Sequence, residues 1–195
     1  MIAIVDTGGA NIASVQNAFE RIGKASKLTS DRTEIENASH VILPGVGAAG
    51  DSMTRIREHQ LLATLRGLRR PVLGICLGMQ LLFMASEEDG TDCLGLLPGV
   101  VRRLPASPGF PVPHMGWNRV QFQSQGPLTE GIESGEYFYF VHSFFAPLVE
   151  GTTGFCEYPA PFTAMVSREN FHGVQFHPER SAQAGSRLLR NFLNL

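Results

Sequence analysis

Two short segments carry residue types that do chemistry together. Gly74-Ile75-Cys76-Leu77-Gly78 places a cysteine midway between two glycines, directly after the apolar run Val72–Ile75. A nucleophile on a sharp strand-to-helix turn needs this arrangement, because its backbone is strained and its flanks must pack without side chains. The helix that follows would turn its positive N-terminal end toward the sulfur. From the pentapeptide alone, a buried cysteine in an ordinary glycine-containing turn is an equal reading.

The second segment is His177-Pro178-Glu179, which follows the run Val174-Gln175-Phe176. Its histidine falls where a strand ends, and Glu179 lies close enough in sequence to accept a bond from the imidazole. Cys76, His177 and Glu179 would then supply a thiol nucleophile, its base and the group that orients the base. That set performs acyl transfer through a thioester. His142 also ends an apolar run and is a rival base, but no carboxylate lies near it in sequence, so it reads as packing or rim.

These residues need a scaffold, and the first half of the chain spells one out. Ile2–Val5, Val41–Leu43 and Val72–Ile75 are continuous apolar runs, as parallel strands covered on both faces require. Asn11–Ile22 carries Ile12, Val15, Phe19 and Ile22 at helical spacing, with Gly23 as a stop. Ser52–His59, Leu61–Leu68 and Leu77–Ala85 also read as helices. The alternation predicts an α/β fold with a mostly parallel central sheet flanked by helices. Beyond Pro98 the pattern changes to additional short strands: Val100–Arg103, Arg119–Gln123, Tyr137–Phe145, Gly154–Tyr158, Phe162–Ser167 and His172–Gln175. A helix over Ser181–Phe192 closes the chain. No linker divides it, so residues 1–195 read as one domain.

Bulk properties exclude several classes. With 195 residues and 43% hydrophobic content, the chain can bury a sizeable core without disulfides or metals. A net charge of -2 offers no electrostatic case for nucleic acid or an anionic membrane surface. Cys76, Cys93 and Cys156 are sparse and form no CxxC pair, which argues against a disulfide framework or structural zinc and for a reducing, cytoplasmic setting. Cys93 and Cys156 read as unreactive thiols. The opening Met-Ile-Ala-Ile-Val-Asp is too short for a signal peptide, and Val72–Ala85 is too short for a membrane span. No cofactor or metal is expected.

The segments Gly74–Gln80 and Phe176–Glu179 resemble the two signatures of the class I (triad) glutamine amidotransferases. Leu43–Gly47, His114–Asn118, Tyr137–Ser143, the opening Asp6–Val15 and the closing Asn191-Phe192 are similar to the glutaminase subunits of imidazole glycerol phosphate synthase. The resemblance spans essentially the whole chain. It implies a flavodoxin-like amidotransferase fold and hydrolysis of L-glutamine to glutamate and ammonia. It also implies a separate (β/α)8-barrel cyclase as partner in histidine biosynthesis, since 195 residues of glutaminase hold no acceptor site.

By the same resemblance, Gly45, Val46, Gly47 and Leu77 would form the oxyanion site. Gly47, Gln80, Ser143 and Phe144 would bind substrate, and Asn11, Trp117 and Arg180 would meet the partner. The sequence departs from that pattern at Thr7, where an aromatic is usual, at Ala10 and Ala182, where glycine is usual, and at Ala49, where phenylalanine is usual. Phe144 stands for a usual tyrosine and Arg180 for a usual lysine. None of these is a triad position. Two other readings remain open: a glutaminase serving another synthase, and a non-catalytic binding subunit of the same fold.

Overall fold

The computed structural model describes residues 1–9 and 11–195. The expected departure at Ala10 falls outside them. In chain order the elements are β1 (Ile2–Val5), α1 (Ile12–Arg21), β2 (Ser26–Thr29), α2 (Arg32–Asn37), β3 (His40–Leu43), α3 (Ala49–Glu58), α4 (Leu62–Gly67), β4 (Val72–Ile75) and α5 (Leu77–Gln80). There follow β5 (Phe83–Ser86), β6 (Thr91–Asp92), β7 (Leu97–Arg103), β8 (His114–Phe122), β9 (Glu136–His142), β10 (Phe144–Phe145), β11 (Thr152–Glu157), β12 (Pro161–Arg168), β13 (Phe171–Val174) and α6 (Ala182–Phe192).

Nine strands form the main sheet in the order β2-β1-β3-β4-β13-β12-β11-β8-β9. The five from β2 to β13 pair in parallel, and β13 onward pairs antiparallel, so the sheet is mixed. Alternation along the parallel strands explains their unbroken hydrophobicity. Ala3 and Val5 join a core cluster with Ile35, Met53, Ile56 and Leu65 from α2, α3 and α4. Ile2 and Ile4 point the other way, into a cluster with Val15 and Phe19 of α1 and Leu188, Leu189 and Phe192 of α6. Each face is covered, as a parallel sheet requires. A smaller sheet, β10-β7-β5-β6, lies beside it.

The helix expected over Leu77–Ala85 is corrected. It ends at Gln80, and the chain turns through Leu81 and Leu82 into β5, which pairs with β6 and β7. Leu81, Leu82 and Phe83 are all fully buried. A short apolar run satisfies a buried strand as well as a buried helix, and periodicity does not separate the two. The stretch Tyr137–Phe145 also divides, into β9 and β10.

Strand order reverses at β1, which has β2 on one side and β3 on the other. In open parallel sheets, ligands bind beyond the carboxyl ends of the strands near such a switch point. The loops after β1, β3, β4 and β13 all leave from those ends, and they carry Asp6–Gly9, Pro44–Ala48, Cys76 and His177. Among the described residues no helix is long and apolar enough to cross a membrane.

Candidate active site

Cys76 lies between β4 and α5 at φ 52° and ψ −109°, a left-handed geometry that a residue with a Cβ adopts only when its surroundings impose it. Its N–H donates to Val174 O at 2.8 Å, and its carbonyl accepts from Gln80 N at 3.2 Å. Glycines make the turn possible. A Cβ on Gly74 would stand 2.6 Å from Gly78 O, and one on Gly78 would overlap the carbonyl of Leu43 on the adjacent strand. A Cβ on Gly45 would overlap Gly78 N and Leu77, so the loop after β3 packs bare backbone against the elbow. With α5 only one turn long, its dipole adds less at the sulfur than the expected longer helix would.

His177 begins where β13 has ended. Its N–H donates to Tyr139 O at 2.9 Å, and the Ser181 hydroxyl donates to its carbonyl at 2.7 Å while accepting from Tyr139 N at 3.0 Å. Phe176 anchors the segment, fully buried and stacked on Phe138 with ring centroids 4.0 Å apart. The imidazole Nδ1 donates to Glu179 Oε1 at 2.8 Å, and both side chains are almost wholly buried. Asn11 Nδ2 donates to the same oxygen at 3.1 Å. The Nε2 of His177 and Oε2 of Glu179 have no hydrogen-bond partner among the described residues. Burial alone would lower the His177 pKa, but its interactions with Cys76 and Glu179 outweigh that and raise it to about 10. Nε2 is therefore a proton site beside the sulfur, held in one tautomer by a buried carboxylate.

The sulfur opens into a cleft of about 340 Å³, large enough for a small amino acid. Gly45, Val46, Gly47 and Leu77 line one side, and Gln80, Ser143 and Phe144 another. Gly47 has φ +122°, which only glycine adopts without strain. As the first residue of α5, Leu77 has an N–H with no acceptor inside its helix. Gln80 is nearly buried, and both its amide hydrogens are already committed, to Phe144 O at 2.8 Å and Gln175 Oε1 at 2.9 Å. Only its carbonyl oxygen is left for a ligand. A larger groove of about 550 Å³ runs along α6 past Glu133, Glu136, Arg187 and Arg190, but it includes none of these residues.

Sequence reasoning missed Glu88, which lines the cleft and accepts from Ala49 N at 2.8 Å. Burial raises its pKa, opposed by that N–H. It is one of several acidic residues between Glu87 and Asp92, and nothing in their order singled it out. It also missed Gln175, although a polar residue within an apolar run was a visible signal.

His142 cannot take up a thiol proton. Its Nδ1 donates to Phe144 O at 2.8 Å, so its Nε2 accepts from His114 Nδ1 at 3.0 Å, and His114 Nε2 in turn accepts from Asn118 Nδ2 at 3.3 Å. Burial, reinforced by His114, pushes His142 down to about 3. Burial also raises the Cys93 thiol to about 11 and the Cys156 thiol to about 12. Of the residues expected at a partner surface, Trp117 is half exposed and meets Tyr139 edge-on at 6.0 Å. The guanidinium of Arg180 lies 5.7 Å from the centroid of the same Tyr139 ring. Asn11 instead spends its side-chain amide on Glu179.

Chemically the cleft is equipped for acyl transfer from a carbonyl to a thiol, the class of the cysteine hydrolases. Comparison with known proteins narrows the class. The family model "Glutamine amidotransferase class-I" matches residues 3–195, and the chain belongs to that family, within the group of HisH subunits of imidazole glycerol phosphate synthase. It is 50% identical over 195 residues to "Imidazole glycerol phosphate synthase subunit HisH 2" of Legionella pneumophila (strain Paris), covering 100% of this chain and 98% of that protein. It is 47% identical over 194 residues to the HisH subunit of Xanthomonas oryzae pv. oryzae (strain MAFF 311018), covering 100% and 97%. A crystal structure of a glutamine amidotransferase superposes with a TM-score of 0.77 at 19% identity, over 99% of this chain and 97% of that one. At that identity the likeness speaks to the fold.

Proposed function

We propose that the chain is the glutaminase subunit of an imidazole glycerol phosphate synthase. It hydrolyses glutamine at Cys76 and passes ammonia to a (β/α)8-barrel cyclase subunit in histidine biosynthesis. One observation carries the reading: a strained cysteine beside a histidine whose far nitrogen is fixed by a buried carboxylate, within a chain similar end to end to HisH subunits.

Cys76 Sγ, its proton already held on His177 Nε2, attacks the side-chain amide carbon of glutamine. The tetrahedral oxyanion is held by the Leu77 N–H and by a peptide N–H of Gly45–Gly47, preorganised donors of the kind that lower such barriers most. Collapse breaks the C–N bond, and His177 returns the proton to the departing ammonia. Water then adds to the thioester with His177 as base, and glutamate leaves as the C–S bond breaks. Glu179 keeps Nδ1 protonated throughout and stabilises the imidazolium. The ammonium group of glutamine pairs with Glu88, the carboxylate of the cleft wall, while Ser143 and the backbone of Phe144 take its carboxylate end. Gln80 accepts through its free oxygen.

The two core clusters flank one sheet, which supports residues 1–195 acting as one domain. Trp117 and Arg180, gathered around Tyr139, form part of the face offered to the cyclase. The setting is cytoplasmic. Co-purification with a barrel cyclase followed by two parallel syntheses tests the function. Cys76→Ala should abolish product formation from glutamine and spare formation from ammonium salts. Loss of both, or of neither, would overturn the reading.

A further inference from the structure

Gln175 is fully buried behind the nucleophile and takes no part in the proton transfers of hydrolysis. Its Nε2 donates to Cys76 Sγ at 3.5 Å, and its Oε1 accepts from Gln80 Nε2 at 2.9 Å. Because Gln80 gives its other hydrogen to Phe144 O, neither amide can be reversed without setting like groups against each other. The Gln175 backbone is pinned as well, its N–H donating to Ala164 O at 2.9 Å. A primary amide is costly to bury and is kept only where its bonds are made.

The sulfur thus has two neighbours of opposite character. Val141 O, at 3.7 Å, can only accept, and so it favours the thiol. The Gln175 N–H can only donate, and it bonds more strongly to an ionised sulfur. The sulfur is ionised when it attacks glutamine, and again when water expels it from the thioester. We propose that Gln175 is a positioning residue for the nucleophile, its amide orienting the Cys76 sulfur toward His177 and stabilising the ionised form. Gln80 sets the direction of that amide from the substrate side. The inference rests on Cys76 being the nucleophile.

The test is alkylation of the full chain by iodoacetamide across a pH series, with the modified site mapped by mass spectrometry. Gln175→Met keeps the length and removes both the donor to the sulfur and the acceptor for Gln80. Gln175→Glu keeps the shape and the acceptor for Gln80, and places a carboxylate oxygen against the sulfur. The pH midpoint of Cys76 alkylation should rise in Gln175→Met and further in Gln175→Glu. Alkylation at neutral pH should slow about ten-fold or more, the value of one hydrogen bond to a charged group. With the cyclase present, kcat for glutamine should fall by a similar factor in Gln175→Glu, which keeps the acceptor for Gln80, while KM stays nearly unchanged. A purely structural Gln175 would lower thermal stability and leave the alkylation profile in place. Should Gln175→Met not fold, Gln175→Glu carries the test. Wild-type midpoints in the folded variants would overturn this inference alone. A wild-type Cys76 alkylated no faster than Cys93 or Cys156 would overturn the nucleophile assignment beneath it.

Discussion

An alanine at Gly78 would drive a methyl group into the carbonyl of Leu43. The added Cβ would stand 2.6 Å from Leu43 C and 3.1 Å from Pro44 O, both backbone atoms, where ordinary contact begins at 3.4 Å. The Leu43 oxygen stands closer still, and none of these atoms is the end of a flexible side chain, so β3 and the elbow must separate by more than 1 Å. Overpacking of this kind costs about 1–3 kcal/mol. In a chain of this length that lowers the melting temperature by about 3–10 °C. The catalytic effect should be larger. The same shift moves Cys76 and the Leu77 N–H relative to the Pro44–Gly47 loop, and a misplacement of about 1 Å costs roughly a hundred-fold in rate. Gly67→Ala is the matched control, because no atom lies within 4 Å of its added Cβ. It ends α4, where alanine should be neutral or stabilise by about 0.4–1 kcal/mol. Differential scanning calorimetry and glutaminase rates on both variants decide the matter. A Gly78→Ala protein with wild-type melting and turnover would refute the packing argument for the elbow.

His177→Ala should reduce glutamine hydrolysis about as severely as loss of Cys76, and Glu179→Gln less so, because it leaves the proton carrier in place; a hydrolysis rate more sensitive to His142→Ala than to His177→Ala would contradict the assignment of the base. Ala182 has φ 47°, so Ala182→Gly should raise stability by about 1 kcal/mol in urea unfolding, and a lower midpoint would count against that strain. His142, His114 and His172, depressed to about 3, 4 and 4, stay neutral in the folded chain while the unfolded chain protonates near 6.5. Their contribution is complete above that pH and is lost as pH falls toward 4; His142 alone accounts for about 2 kcal/mol at pH 5. His177 has the opposite sign, its contribution complete below 6.5 and lost as pH rises through about 10. Urea midpoints should therefore fall between pH 7.5 and pH 5, and an unchanged midpoint would refute the buried-histidine account. The chain alone should hydrolyse glutamine far more slowly than the complex with acceptor bound, a gap of about a hundred-fold or more if one oxyanion donor is misdirected in the free subunit. Equal steady-state rates would show that the Pro44–Gly47 loop does not gate catalysis.

Much of the parallel sheet was legible because burial on both faces leaves an unmistakable composition. Ile2–Val5 and Val72–Ile75 were read to the residue. β2 left no such trace: it is the edge strand, and Lys27 and Leu28 are exposed. α2 was missed because its six residues present one buried apolar side chain, Ile35, which is too little to show a period. The expected helix beyond Gln80 failed for the converse reason, since Leu81-Leu82-Phe83 is buried whatever its conformation. The site divides along similar lines. Cys76, His177 and Glu179 announce themselves through backbone demands on their neighbours, namely glycines at the elbow and Pro178 after the histidine. Glu88 and Gln175 act through where the fold carries their side chains. Both lie far in sequence from a partner they serve: Gln175 contacts Cys76 across 99 residues.

During turnover Cys76 becomes covalently acylated by glutamine. Rapid acid quenching of the subunit–cyclase complex during turnover, followed by mass spectrometry of the Cys76 peptide, tests it directly. A γ-glutamyl thioester is expected on Cys76 in the wild-type complex, with no adduct on Cys93 or Cys156. Neither acylation nor ammonia release is expected in Cys76→Ala. Glutamine hydrolysis near the wild-type rate in Cys76→Ala, or an acyl group found on another residue, would contradict it.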